Sequence, residues 1–323
     1  MKLPGEPAGC DGLPNAEWWQ AYRELCGEEQ RGPKTGTFAA LIGAYKASPE
    51  WKELSAKTRE NYVRYLSEIE ATWGELRAAG VDPRHVLALR DRKSETPAAA
   101  NYIVRVLSTL LSWSIPRGYR HDNPCKHVKM LKGGDGYEPW SWEQIIHFRD
   151  HVSKRELWWV AALALYSGQR QGDDLAMLWS DVSDGSLAVV QQKTGKKLRI
   201  AMHRDLRELL QEIPKRAVTV LSNTRGKPWT TDGFKASWGK ELDRDAMAPI
   251  REAGLVFHGL RKSAVVFLLE AGCTDAEVSA ITGQSRQMVE YYARQVNQKK
   301  LAANAVLKWE ASGVGGTTGE RDL

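Results

Sequence analysis

"SLAVVQQKTGKKLRIAM", residues 186–202, is the stretch that decides the fold class. Two β-rich runs flank Thr194-Gly195, the arrangement of a hairpin, and no other part of the chain alternates as convincingly. Everything around it has apolar residues at helical spacing. Downstream, "RDLRELLQEI", "TDGFKASWGKEL", "FHGLRKSA", "DAEVSAITG", "SRQMVEYYARQV" and "KKLAANAVLKWE" read as helices. Upstream, "RELWWVAALALYSG" is apolar nearly all round, which puts that helix at the centre of a core. Before it, "SWEQIIHF" opens with a capping box from Ser141 to Gln144. Residues 140–311 therefore predict an α+β domain, mainly α with a small β-hairpin or sheet.

"KGGDGYEP" (132–139) concentrates glycine and ends in proline, so it reads as a linker. No strand pattern precedes it. "SAKTRENYVRYLSEIEATWG" (55–74) has a start signal at Ser55 or Thr58 and a stop at Gly74. Its apolar groups are Tyr62, Leu66, Ile69 and Trp73. Another helix follows Pro97, with Ile103, Leu107, Leu110 and Leu111 as its buried stripe, and ends at "IPRGYRHDNP". Residues 36–131 thus predict a small helical bundle. Residues 1–35, rich in Pro, Gly and charge around the helical stretch "AEWWQAYREL", read as a partly ordered lead-in. Residues 312–323 read as a flexible tail.

A chain of 323 residues suggests about two domains. At 42% hydrophobic and 27% charged it has the apolar mass for real cores. No run approaches the ~18 consecutive apolar residues of a membrane span. "MKLPGEPAGCDGLP" lacks the apolar core of a secretory signal, so a cytoplasmic location is expected. Cys10, Cys26, Cys125 and Cys273 lie far apart without metal spacing, as reduced thiols do, and no zinc site is expected. The net charge of +6 fits an anionic partner, of which nucleic acid is the commonest.

Four places in the second half carry polar chemistry, each with an ordinary reading when taken singly. In "YSGQRQGDDLAML", Arg170 follows the break at Gly168, where it is either a solvated helix-end arginine or a side chain projected into a cleft. Asp173 is spaced to hold its guanidinium by a charge-assisted pair. Lys193 precedes the hairpin turn, where a lysine is usually solvated. His258 and Arg261 lie one turn apart on one helix face, beside Lys262. Tyr291 and Tyr292 lie on an amphipathic helix, where tyrosine is more often packing than chemistry.

In order and spacing together, these residues resemble the tyrosine recombinases, the phage integrase family. The resemblance covers roughly residues 36–310. "SGQRQGDDLAMLWSDV" looks like the family's first arginine box, and "QQKTGKKLRI" like its β-hairpin lysine. "HGLRKSAVVFLLEAG" is similar to its His-x-x-Arg box, and "ITGQSRQMVEYYARQ" to the segment carrying the nucleophilic tyrosine. The resemblance implies a helical-bundle core-binding domain that closes over DNA opposite a tyrosine-recombinase catalytic domain.

It also implies a chemistry that these residue types can supply. Two guanidiniums, Arg170 and Arg261, clamp the non-bridging oxygens of a scissile phosphate and match the charge of the transition state. His258 adds a hydrogen bond there. Tyr292 attacks and is left as a 3′-phosphotyrosine, while Lys193 protonates the departing 5′ oxygen. A tyrosine near pKa ~10 needs neighbouring cations to favour its ionised form. No metal or other cofactor is implied. Where the family has "LGHS", this chain has "TGQS", so Gln284 offers a hydrogen bond without charge. The "EYYAR" register selects Tyr292 over Tyr291, which is left a packing role.

Lys57, Thr58, Arg59 and Arg64 are candidate phosphate contacts in the first domain. The implied partners are double-stranded DNA attachment sites and accessory DNA-bending or directionality factors. The implied assembly is a monomer in solution and a tetramer on DNA, with "KKLAANAVLKWE" docking on a neighbour. An amino-terminal arm-binding domain is not evident, which leaves recognition of distant arm sites open. Two alternatives stay open on the sequence: a type IB topoisomerase or resolvase with the same chemistry, and a non-catalytic DNA-binding regulator on the same fold.

Overall fold

A computed structural model describes residues 36–134, 136–293 and 298–312. The predicted helix in "AEWWQAYREL", and the tail beyond Ser312, lie outside the described residues. The chain divides into two compact units between Asp135 and Gly136.

The first unit is helical: α1 (Phe38–Ala47), α2 (Pro49–Glu53), α3 (Ala56–Trp73), α4 (Pro83–Asp91) and α5 (Pro97–Ser114). Ser55 caps α3, its hydroxyl accepting from the Thr58 N–H, and Gly74 ends the helix. Leu66, Ile69 and Trp73 are buried, with Tyr62 packed at the edge of the same core. Along α5, Ile103, Leu107, Leu110 and Leu111 are fully buried against Phe38, Leu41 and Ile42 of α1. α2 and α4 go beyond the sequence reading, because five and nine residues are too short for periodicity to declare. α4 is instead marked by its start: Pro83 occupies the first turn, and Asp82 forms a capping box with His85.

The second unit begins with α6 (Trp142–His151), whose Ser141–Gln144 capping box is present, and α7 (Arg155–Ser167). α7 is buried nearly all round. Each of its large apolar side chains removes enough surface from water to contribute about 1.5–3 kcal/mol, which makes this helix the centre of the core. α8 (Gln171–Ala176) leads into an antiparallel sheet of order β1 (Val182–Ser183), β2 (Ser186–Val190), β3 (Lys197–Ala201). The hairpin of the sequence reading is β2–β3, with Leu187 opposite Ile200 and both side chains inward. β1 is an addition, since two residues leave no alternation to read.

α9 (Arg204–Glu212), α10 (Thr231–Leu242), α11 (Ala248–Glu252) and α12 (Phe257–Glu270) complete the wall around this core. α13 (Asp275–Thr282), α14 (Arg286–Ala293) and α15 (Gln298–Ala311) follow. The first turn of α12 is seated by an aromatic cluster, with Phe257 edge-on to Phe234 at 5.0 Å and to Trp238 at 5.1 Å. No described helix is long and apolar enough to cross a membrane.

Candidate active site

The site grows from three chain reversals that meet on one side of α7. The first is the end of α7 itself. Gly168 takes the left-handed conformation, φ 62°, and a Cβ there would stand 2.9 Å from the Thr282 methyl, so glycine is required twice over. The chain then runs through Gln169 to Arg170, the residue before α8. The second reversal is the β2–β3 turn, where Gln191 accepts from the Gly195 N–H (2.8 Å) and donates its own N–H to Lys196 (2.9 Å). The third is the end of α13 at Gly283, φ 70°.

A pair of fully buried glutamines rivets the three together. The Gln191 amide donates to the Gln169 side-chain oxygen (2.7 Å) and to the Thr282 carbonyl (2.9 Å). The Gln169 amide donates in turn to the Ser167 and Ile281 carbonyls, both at 3.0 Å. A Cβ on Gly283 would lie 2.4 Å from the Gln191 amide nitrogen, so this crossing is built for the absence of a side chain. The turn that carries Lys193 is therefore fixed to its surroundings at Gln191.

Asp173 ties the same turn to Arg170. One carboxylate oxygen accepts the Gln192 N–H at 2.8 Å, and the other lies 3.8 Å from the Arg170 guanidinium. That distance is an ion pair without a hydrogen bond. The Arg170 side chain is 30% exposed, and its buried Nη1 has no hydrogen-bond partner.

Arg261, from the first turn of α12, is only 4% exposed. Nη1 donates to the Gly168 carbonyl (2.5 Å) and Nη2 to the Thr282 carbonyl (3.0 Å). Burial pushes its pKa down to about 10, with the Arg170 charge acting the same way and Asp174 against it. Asp174 is wholly buried. It accepts from Ser167 Oγ at 2.9 Å, and burial raises its carboxyl to about 8 despite that bond and the Arg261 charge. The acid is thus mostly protonated at pH 7.

A titration checks this last point. The folded Asp174 holds its proton to higher pH than the unfolded one, so this group's contribution to stability declines from the ordinary carboxyl range up to about 8. Asp174→Asn, which resembles the neutral acid, is expected to fold and to remove that decline. Melting curves of both chains across pH 4 to 8, the window over which the two protonation states diverge, measure it; parallel curves would show the carboxyl to be ionised.

His258 lies on the exposed face of α12, with the Tyr137 ring edge-on at 5.7 Å. Desolvation lowers its pKa, and the charges of Arg261, Arg170, Lys193 and Lys262 push the same way. Both causes favour the neutral imidazole. Gln284 is buried, with its side-chain oxygen unpartnered.

Tyr292, on α14, is partly buried against Val265, Val266, Leu269, Val278 and Val289, whereas the Tyr291 ring is 44% exposed and meets Tyr292 edge-on at 5.6 Å. Burial raises the Tyr292 pKa, Tyr291 adds to the rise, and Arg261 and Arg170 oppose it. The sequence argument had cations favouring the phenolate. They act in that direction, but desolvation outweighs them.

From four separate elements, Arg170, Arg261 and Lys193 are thus brought within electrostatic reach of His258, and Arg170 and Arg261 within reach of Tyr292 as well. Sequence reading passed over Gln169, Gln191 and Asp174, which hold them there. The paired aspartates after Arg170 were the available signal for Asp174; the glutamines, 22 positions apart, left none. No group of three His, Cys, Asp or Glu among the described residues is arranged to hold a metal.

In the first unit the candidate phosphate contacts do not form one patch. Lys57 and Arg64 are seven residues apart and share a face of α3, but Arg59 lies some 200° around the helix from Lys57. Lys57 pairs with Glu60 at 2.8 Å, the Thr58 hydroxyl meets that of Ser55 at 2.9 Å, and Arg64 lies 5.5 Å from the Tyr65 ring centre.

Comparison with known proteins gives these observations a context. The model of the phage integrase family matches residues 140–299. The integrase of Enterobacteria phage 434 is 25% identical over 236 residues, covering 69% of this chain and 64% of that protein. The integrase of Escherichia phage lambda aligns to the same extent. The chain spans a little under two thirds of the length of these relatives. Among solved structures, a lambda integrase tetramer bound to a Holliday junction matches with a TM-score of 0.68 at 22% identity, over 85% of each chain. The Tn1549 transposon integrase in complex with circular intermediate DNA matches at 0.67 and 13% identity, over 84% of this chain and 99% of that one. The mainly helical fold with its small sheet is the fold of these structures.

Proposed function

Since residues 140–299 belong to the phage integrase family of tyrosine recombinases, we propose that this protein is a site-specific DNA recombinase that cleaves and rejoins strands through a 3′-phosphotyrosine and so integrates or excises a mobile element. The observation that carries this reading is that the charges of Arg170 and Arg261 act on both the partly buried Tyr292 phenol and the His258 imidazole, with the hairpin Lys193 acting on that imidazole.

In the step proposed, Tyr292 Oη attacks phosphorus while the bond to the 5′ oxygen breaks. Arg261 already spends one N–H of each terminal nitrogen on a carbonyl, which fixes the plane of its fork. Its remaining donors and those of Arg170 serve the non-bridging oxygens. A neutral His258 carries one N–H and one bare ring nitrogen. It can donate to a phosphate oxygen or accept the proton of Tyr292, whose raised pKa makes a proton acceptor necessary. Lys193, on the turn fixed through Gln191 and Gln192, protonates the leaving 5′ oxygen. Gln284, buried beside Gly283, offers an uncharged amide to the phosphate. A free 5′ hydroxyl of a partner strand then reverses the chemistry.

In this reading the DNA substrate spans both units, with Lys57 and Arg64 contacting phosphates from one face of α3, and Thr58 and Arg59 supporting at its start. The assembly is a tetramer on paired sites, as in the lambda integrase tetramer on a Holliday junction, formed from monomers. Accessory bending or directionality factors and a cytoplasmic location complete the proposal.

The test is a two-site reaction on plasmids carrying the candidate element's ends. Recombinant joints that depend on both sites are expected. Supercoil relaxation without joining would favour a topoisomerase, and specific binding without any covalent adduct would favour a regulator.

A further inference from the structure

Next to Arg261, α12 carries a second cation that the cleavage chemistry does not use. Lys262 is 5% exposed. Its Nζ donates to the Tyr137 carbonyl at 2.6 Å and lies 5.4 Å from the centre of the Tyr292 ring. Burying an ammonium is costly unless it is well partnered, and these two contacts together compensate for it. One belongs to the extended segment 137–140, the other to the nucleophile's own ring.

That segment is built into the first turn of α12. The Trp140 N–H donates to Ser263 Oγ at 2.7 Å, and its indole N–H to the Val256 carbonyl at 2.9 Å. A Cβ on Gly259 would lie 2.4 Å from the Glu138 carbonyl, so α12 has no side chain where the segment crosses it. Tyr137 itself lies against His258. The carbonyl that receives Lys262 is therefore a fixed point, and so is the ammonium it holds.

We propose that Lys262 is a positioning residue for the nucleophile: anchored on the Tyr137 carbonyl, its ammonium holds the face of the Tyr292 ring by a cation–π contact and so aims the phenol. A cation within about 6 Å of a ring centroid is attracted by the ring's negative face. The contact also places positive charge beside the phenol as it ionises. Two anchors grip the ring, the apolar cluster under α14 and Lys262. The other charged or titratable groups facing it are Arg261 on α12, Arg170 after α7 and Tyr291 on α14. His258 and Glu138 are those that face Lys262.

This inference rests on the recombinase reading, and one experiment separates the two. Single-turnover cleavage of a nicked suicide substrate is followed from about pH 6 to 10, a span below the raised phenol of Tyr292, for the wild-type chain, Lys262→Gln and Lys262→Arg. Glutamine keeps a donor for the Tyr137 carbonyl but no charge. It is expected to lose roughly tenfold in cleavage rate at neutral pH, the scale of a desolvated cation–π contact, with DNA affinity unchanged. Arginine should restore most of the rate. If glutamine does not fold, methionine takes its place with the same expectation. Wild-type rates for the glutamine chain, or a uniform loss at every pH that arginine does not repair, would overturn the positioning role alone. No adduct from the wild-type chain at any pH would overturn the recombinase reading and this role with it.

Discussion

Tyr292→Phe abolishes covalent capture of DNA while leaving DNA binding and folding intact. Loss of the attacking oxygen leaves nothing for the clamp of Arg170 and Arg261 to act on, so the cleavage rate falls by at least about 10⁴-fold. The ring itself remains. Its contacts with Val265, Val289 and Lys262 survive, because none of them uses the hydroxyl. Melting temperature and affinity should therefore stay close to wild type, and the phenol's raised pKa shows that burial was disfavouring only the ionised form. Tyr291→Phe is the matched control. That ring is 44% exposed and acts on the nucleophile by raising the Tyr292 pKa, an effect its loss would only relieve, so full capture is expected. Suicide-substrate capture by both variants decides the assignment: an adduct from Tyr292→Phe and none from Tyr291→Phe would reverse it.

The second large effect is expected at Arg261→Lys. The guanidinium has five N–H donors in a rigid fork. Two of them are committed to the Gly168 and Thr282 carbonyls, and the rest are thereby aimed. Lysine keeps the charge but cannot satisfy two carbonyls and a phosphate from one point. Removing a preoriented transition-state donor costs about 10²–10³-fold in rate, and a loss of that size in single-turnover cleavage is expected. Ground-state DNA affinity should change little, since the net charge is unaltered. The Gly168 and Thr282 carbonyls also join the ends of α7 and α13, so a modest fall in melting temperature is expected as well. A lysine variant that cleaves within threefold of wild type, well short of what loss of a preoriented donor costs, would mean that charge alone suffices there.

Both expectations rest on residues that could be read directly in the chain, and the reasons are physical. The helices of the first unit follow from apolar spacing. Leu66, Ile69 and Trp73 along α3, and Ile103 to Leu111 along α5, are buried because that spacing puts them on one face. The hairpin 186–202 was legible because Leu187 and Ile200 fall on one side of an alternating pattern. The short elements were not. β1, α2 and α8 hold two, five and six residues, and tertiary contacts rather than period make them.

At the site, the reacting groups were legible as a spaced set. Their supports were not, since a glutamine in a sequence carries no sign that it will be fully buried. Gln169 and Gln191 meet only because α7, the hairpin and α13 end at one place. Lys262 reads as a surface lysine beside an active arginine until the segment 137–140 is laid over it. The sign of the Tyr292 shift was likewise out of reach, because it depends on how deeply the ring is buried and not on which cations are near.

The central claim is that these groups surround one phosphodiester with Tyr292 in line behind it. Digestion of the wild-type chain trapped on a nicked duplex, followed by mass spectrometry of the peptide that carries nucleotide, tests it most directly. The account predicts an oligonucleotide joined through its 3′ phosphate to Tyr292. A nucleotide on Tyr291 or any other side chain, or one joined through a 5′ phosphate, would contradict it.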